Sequence, residues 1–220
     1  MKHFTFALGF LALTACYGGE PTQEAVPAAA APTNTDPGTT PPLTTSASFE
    51  KLKKTGLKLD QPFDKVMKAA EAADKKAGKS ERVMAVMKSF TESLGVSCKD
   101  CHAAKVDAKG KAIMEGGKPA MDFQKKTETM SVAERMWNEW VVGFRFAEDG
   151  SPLFCDSCHQ GAAKFLDRSE PDKLKTWMKT NFNAKLLING GEKDGEPVSC
   201  STCHGKPFEG EFLNAWKAGE

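Results

Sequence analysis

Between Ser80 and Leu94 the chain reads SERVMAVMKSFTESL, and its apolar residues recur with a helical period: Val83, Met87, Phe90 and Leu94 fall on one face. Ser80 stands where a helix cap belongs and Gly95 where a helix ends, so the pattern predicts an amphipathic helix here. Two later stretches repeat the pattern. Ser131 and Glu134 form a capping-box signature opening VAERMWNEWVV, in which Val132, Met136 and Trp140 share a face. Ser169 and Pro171 open SEPDKLKTWMKTNF, whose apolar face gathers Leu174, Trp177, Met178 and Phe182.

The beginning of the chain carries no such period. Behind Lys2, an apolar run from Phe4 to Leu13 ends in small residues before Cys16, which is a signal-peptide layout too short to span and stay. The stretch LTAC, residues 13–16, resembles a bacterial lipobox, whose Cys is diacylated through sulfur and becomes the mature N-terminus. The alternative is an ordinary cleaved signal with a stray thiol, and an odd free Cys in an oxidising compartment argues against it. From Tyr17 to about Ser48 the chain is rich in Pro, Ala and Thr and cannot bury enough surface to fold. The expected organisation is a lipoprotein signal peptide at 1–15, a lipidated Cys16 with a disordered tether at 16–48, and a folded domain at 49–220. Such a chain is exported and lipid-anchored, at the outer membrane or at the periplasmic face of the inner membrane. Tyr17 after the lipidated Cys, in place of Asp, is compatible with outer-membrane sorting.

Charge removes one class of partner. Lys and Arg total 30 against 29 Asp and Glu, so no strong positive field exists to hold nucleic acid. A Lys-rich stretch such as KKTGLK, residues 53–58, either steers a partner or is solvated surface.

The cysteines carry the chemistry. Of seven, one is Cys16 and six fall in three C-x-x-C-H units: Cys98, Cys101 and His102; Cys155, Cys158 and His159; Cys200, Cys203 and His204. Four structures use such a unit: a thioredoxin-like redox pair, half a zinc site, a disulfide clip, or covalent attachment of c-type haem. Zinc joins such units in pairs, which leaves a third incomplete. A thioredoxin-like pair needs a strand, turn and helix that no segment supplies. Haem accounts for residue types and spacing together, with two thioethers to one porphyrin edge and the adjacent His as proximal iron ligand. Three covalent haems c are therefore expected.

The histidines constrain those haems further. The chain has four, and His3 leaves with the signal peptide, so none remains for a sixth iron position. Bis-histidine ligation within one chain is excluded. Each predicted helix precedes a haem unit and carries a central Met, so Met87, Met136 and Met178 are the candidate sixth ligands, with Met84, Met130 and Met67 in reserve. Methionine at helical spacing also serves as adaptable core filler, and Lys ligation is a further alternative. A thioether stabilises reduced iron and raises its potential, and a six-coordinate iron has no open position for substrate.

The assembled residues resemble the cytochrome subunit of bacterial photosynthetic reaction centres, a family of multihaem c-type lipoproteins. The most specific match is MKSFTESLGVSCKDCH, in which Met87 precedes Cys98 by 11 positions (98 − 87) and Leu94, Gly95 and Val96 lead into the haem cysteines. AERMWNEWV with CDSCHQG, and WMKTNF with VSCSTCHG, look like further units. The resemblance spans roughly Ser80 to Pro207. It implies a mainly α fold of short helices packed around three haems, with little or no sheet. The photosynthetic subunits typically carry four haems, one of them bis-His, whereas this chain has three attachment units and no spare His.

These features lead to the expectation of a membrane-anchored electron carrier rather than an enzyme, working between a donor and an acceptor redox protein or within a larger membrane electron-transfer complex. The rival is a haem enzyme or gas sensor with one five-coordinate iron. Such a pocket wants distal acid or base groups, yet no distal His exists and Tyr17 is the only tyrosine.

Overall fold

The computed structural model describes residues 40–204. The expected signal peptide, Cys16 and most of the expected tether lie outside the described residues. Helix α3, Glu81–Leu94, closes at Gly95 in the left-handed conformation with φ 64°, as the sequence predicts. Its N-terminus is held differently. Ser80 occupies the cap position without a side-chain bond. Instead Asp74, near the end of helix α2 (Phe63–Ala77), accepts from Arg82 N at 3.0 Å and Val83 N at 3.0 Å. A charged carboxylate on two orphan N–H groups of a helix start is a stronger cap than a serine hydroxyl.

Helix α3 packs on α2, on α1 (Ala47–Lys53) and on the one-turn helix α6 (Cys155–Cys158). Being enclosed on several sides, it buries Val86, Ser89, Phe90 and Ser93, while Val83, Met87 and Leu94 of the predicted stripe are half-buried. One apolar cluster gathers Phe63, Val66, Val86, Phe90, Trp137 and Phe154. Trp137 has no exposed surface, meets Phe63, Phe90 and Phe154 at ring-centroid separations of 5.4 to 5.9 Å, and donates its Nε1–H to Gln61 O.

The second predicted helix starts earlier than its sequence signature. Helix α5 spans Glu128–Met136, and its cap is Thr127, whose Oγ1 accepts from Met130 N. The same hydroxyl donates to Cys101 O at 2.6 Å, while Ser131 bonds back to Thr127 O. A cap with a second, long-range anchor wins over the local signature. After Met136 the helix widens into a π-turn, Trp137–Val141. The extra residue in that turn rotates the faces, so Trp137 and Val141 are buried in place of the predicted line of Val132, Met136 and Trp140.

The third predicted helix is α7, Pro171–Met178, and it too widens into a π-turn, Lys179–Asn183. Each π-turn leads into a short strand, β5 (Phe144–Phe146) and β6 (Leu186–Ile188) in chain order after the ribbons below. The two segments follow one plan at an offset of 42 residues (179 − 137; 186 − 144). The strands pair antiparallel with Arg145 opposite Leu187, positions one offset apart, so a local two-fold axis relates them. Around this pair a second cluster buries Leu43, Phe144, Phe146, Leu153, Phe182, Leu186 and Val198.

Two further ribbons occupy residues 102–126: β1 (His102–Ala104) pairs with β4 (Met121–Lys126), and β2 (Met114–Glu115) with β3 (Lys118–Pro119). The fold is mainly helical with little sheet. Composition places the end of the tether at Ser48, but residues 40–48 lie against the folded domain. Leu43 is buried and its N–H donates to Asn181 Oδ1, and Trp177 Nε1 donates to Pro41 O. No helix among the described residues is long and apolar enough to cross a membrane.

Candidate haem-attachment sites

Each C-x-x-C-H unit begins as a single helical turn: α4 (Cys98–Cys101), α6, and α8 (Cys200–His204). Such a turn brings cysteines three apart to one side. All six cysteines are unbridged. Among the described residues no three Cys, His, Asp or Glu converge as a metal-ligand set. Burial pushes the Cys155 thiol up to about 12 and Cys203 up to about 11, with Cys158 raised further, and the Asp156 carboxylate adds to the rise at Cys155 and Cys158. Burial of this kind keeps the thiols protonated until a partner reaches them. Thioether formation to a porphyrin asks for the positions these turns supply.

The second unit is the most firmly built. His159 Nδ1 lies 3.0 Å from Ala162 O. A carbonyl only accepts, so Nδ1 carries the proton and Nε2 keeps the lone pair an iron requires. Burial lowers the His159 pKa against the opposing pull of the Ala162 and Ala163 carbonyls, which keeps the ring neutral. Ser157 is fully buried, and its O accepts from Thr44 N while its Oγ accepts from Phe154 N. Asp156, between the two cysteines, accepts from Ser46 Oγ and from Ser48 N. The segment 40–48 is thus a strap across this unit.

The first unit leaves its helical turn at once. Its turn is closed by Asp100, which accepts both N–H and O–H of Ser97 at 2.7 Å, bonds that lower its pKa. His102 is extended, with φ −116° and ψ 135°, and opens β1. It is 8% exposed, and its Nδ1 is buried without a hydrogen-bond partner among the described residues. Burial lowers its pKa, so this ring too is neutral at pH 7. In the third unit His204 stays within the helix, half-buried, at the end of the described residues. Two neutral imidazoles beside paired thiols, one with its tautomer set, fit the donor set of covalent haem c.

Two of the three candidate methionines pack on the apolar clusters. Met87 packs on the first, together with Cys155. Met178 packs on the second, together with Cys158 and Cys203. Met136 is half-buried at the junction of α5 with its π-turn, the position Met178 holds in α7. Helix α5 packs on α4, so the helix ending at Met136 also abuts the first unit.

Aromatic rings that periodicity did not single out complete these surroundings. Phe123 meets the His102 ring edge-on at 5.1 Å, and Phe165 meets His159 at 4.9 Å. From Phe165 an unbroken series of ring contacts runs through Trp177, Phe182 and Trp140 to Phe144. Thr127, Asp156 and Phe165 lie outside or between the motif residues, and their roles arise from long-range contacts that no local pattern signals.

Comparison with known proteins adds one finding. No curated protein and no solved structure matches the chain. Residues 83–215 match the family described as cytochrome c7 and related cytochrome c, and that span holds all three C-x-x-C-H units, Met87, Met136 and Met178. With three C-x-x-C-H units and a match over more than half its length, the chain belongs to the family of cytochrome c7 and related cytochromes c.

Proposed function

We propose that this multihaem electron carrier is an exported, lipid-anchored cytochrome with three haems c, each iron closed by a Met sulfur, passing single electrons between two redox proteins. Electron transfer by covalently bound haem c follows from the family. The count, the ligands and the anchor rest on the residues. One observation carries the proposal: every His after the signal peptide is spent in a C-x-x-C-H unit, and each unit follows a helix bearing a candidate Met.

Bound haem c supplies a reversible one-electron change at iron. Cys98 with Cys101, Cys155 with Cys158, and Cys200 with Cys203 would hold the macrocycles. His102, His159 and His204 would ligate one side and Met87, Met136 and Met178 the other. The Ala162 carbonyl orients His159, and the rings of Phe123 and Phe165 pack beside the first two histidines. The buried clusters pack against Cys155 and Cys158 and keep water from the second unit, which limits reorganisation on oxidation. The resemblance to reaction-centre cytochrome subunits supports the Met assignments and the lipobox at Cys16. From Cys16 to Thr40 there are 24 residues (40 − 16), a reach of at most about 85 Å at the fully extended ~3.5 Å per residue. That length keeps an anchored domain near its membrane while letting it meet a partner.

The test is the spectrum of the oxidised holoprotein in the near infrared, where a Met sulfur on ferric haem gives a weak charge-transfer band. Changing Met87, Met136 and Met178 to Ala in turn is expected to remove about a third of the band each time, and the reduced wild type does not bind carbon monoxide. A high-spin wild-type haem that binds carbon monoxide overturns the closed-iron reading and puts an enzyme or sensor in its place.

A further inference from the structure

Residues 40–48 cross the second C-x-x-C-H unit and grip it at positions that have no haem chemistry of their own. Between the cysteines, Asp156 accepts from Ser46 Oγ and from Ser48 N at 2.9 Å, and Ser157 O accepts from Thr44 N at 3.2 Å. Just after His159, Gln160 Nε2 donates to Pro42 O at 2.7 Å. These bonds go to Asp156, Ser157 and Gln160 and leave Cys155, Cys158 and His159 to the macrocycle, so the grip is compatible with a bound haem. The strap is itself fixed to a second support: Leu43 N donates to Asn181 Oδ1 at 3.0 Å, and Trp177 Nε1 to Pro41 O at 2.9 Å. In the other two units, residues between the cysteines bond within their own turn, Asp100 with Ser97 and Thr202 with Ser199.

The turn after His159 needs holding. Gln160 has φ 44° and is the one non-glycine among the described residues with a positive φ. A left-handed residue that bears a side chain costs energy and persists where its surroundings impose it. Gly161 continues the turn at φ 87°, and its N–H donates to Ser93 O at 2.9 Å. Together the two residues swing the chain back, so that Ala162 N reaches His159 O at 2.8 Å and Ala162 O lies 3.0 Å from His159 Nδ1. A carbonyl on Nδ1–H strengthens an imidazole as an iron ligand. His102 differs: its Nδ1 is buried without a hydrogen-bond partner among the described residues. The strap precedes the family-matched span of residues 83–215, so its grip on the second unit is an addition to what that span contains.

We infer that residues 40–48 are a positioning clamp for the second haem, holding Gln160 in its strained turn so that the Ala162 carbonyl stays on His159 Nδ1. This deepens the electron-carrier reading and rests on it. Gln160 is a positioning residue, since its amide acts on the iron only through His159. A hydrogen-bonded imidazole is the stronger donor and favours ferric iron, so releasing the bond raises the potential of that haem and of no other. A stretch with the composition of a linker thereby takes part in setting one iron.

The test uses the full haem-loaded protein, a redox titration resolved by haem, and NMR of isotope-labelled histidine to follow the His159 Nδ1–H. Gln160→Gly accepts the left-handed turn but removes the amide on Pro42 O. It is expected to raise the ferrous-to-ferric ratio of the second haem about threefold or more at fixed ambient potential, and to speed exchange of the His159 Nδ1–H, with the other two haems unmoved. Gln160→Lys keeps a donor for Pro42 O and should return both readouts toward wild type. Ser46→Ala removes the hydroxyl on Asp156 without altering the charge of the unit, and should move the same haem in the same sense. Ala70→Gly, on the buried face of α2, lowers stability away from the strap and should move neither readout. For Gln160→Gly, a change under about threefold, one of opposite sense, one shared equally by all three haems, or no restoration by Gln160→Lys overturns the proposal. The same samples report haem count and carbon monoxide binding. Three closed haems with an unmoved second potential overturn the clamp alone, whereas an open or missing haem overturns the electron-carrier reading.

Discussion

Replacing Asp74 by Ala removes the acceptor for two backbone N–H groups at the start of α3 and leaves Arg82 without its carboxylate at 3.4 Å. Loss of a good helix cap costs about 1–2 kcal/mol. The Arg82 pair adds about 0.5–1 kcal/mol, since Arg82 is one-third exposed and water screens part of its attraction. The sum is about 2–3 kcal/mol, or a fall in Tm of roughly 4–12 °C for a domain of this size. Asp74→Asn keeps one neutral acceptor and should lose about half as much. The pH dependence has a defined sign. Burial works against the Asp74 charge, but the Val83 and Arg82 N–H groups and the Arg82 guanidinium outweigh it and hold its pKa below 3.8. A carboxylate lowered on folding stabilises fully above its unfolded value and loses that contribution as the pH falls through the folded one. Thermal unfolding of the holoproteins, followed by far-ultraviolet circular dichroism, should therefore show a constant gap between wild type and Asp74→Ala from pH 8 to pH 5, closing only below 3.8. A gap under about 1 °C, or one that closes between pH 7 and pH 5, would refute the assignment of Asp74 as the cap of the Met87 helix.

Other substitutions test the packing around the attachment units. Trp137→Ala empties the centre of the first cluster and should cost about 3–5 kcal/mol in denaturant unfolding; a loss under 1 kcal/mol would mean that the cluster is not closed as described. Gly95→Ala needs a left-handed φ and would drive a Cβ into the Gly161 carbonyl oxygen, so about 2 kcal/mol or more should be lost, measured the same way. Thr127→Val removes both the α5 cap and the bond to Cys101 O, costing about 1–2 kcal/mol. In a redox titration resolved by haem, it should shift the first centre more than the other two; equal shifts at all three would contradict a local role.

Local signals made much of this fold legible. Helix α3 ends where Gly95 says it must, because a left-handed terminus is a one-residue decision. The C-x-x-C-H units are legible as a cytochrome c signature because each is written in five consecutive residues, and the family match spans all three. The remainder depends on partners distant in sequence. Ser131 carries a sound capping signature, yet Thr127 caps α5 because Cys101 O, 26 positions away, holds its hydroxyl. The stretch 40–48 has a tether's composition, but Leu43, Ser46 and Ser48 find specific places on Asn181 and Asp156. Neither β5 nor β6 is long enough to show a period of two, and their pairing emerges only when two π-turns bring Arg145 opposite Leu187.

The account rests on one haem for each C-x-x-C-H unit, and intact mass under denaturing conditions measures that directly. The purified chain should carry the added mass of three haems that survive unfolding and acid extraction, leaving no alkylatable thiol among the six motif cysteines, and replacing Cys98 and Cys101 by Ser should remove one haem alone. Fewer than three retained haems, or motif thiols that react freely with iodoacetamide in the wild-type holoprotein, would contradict it.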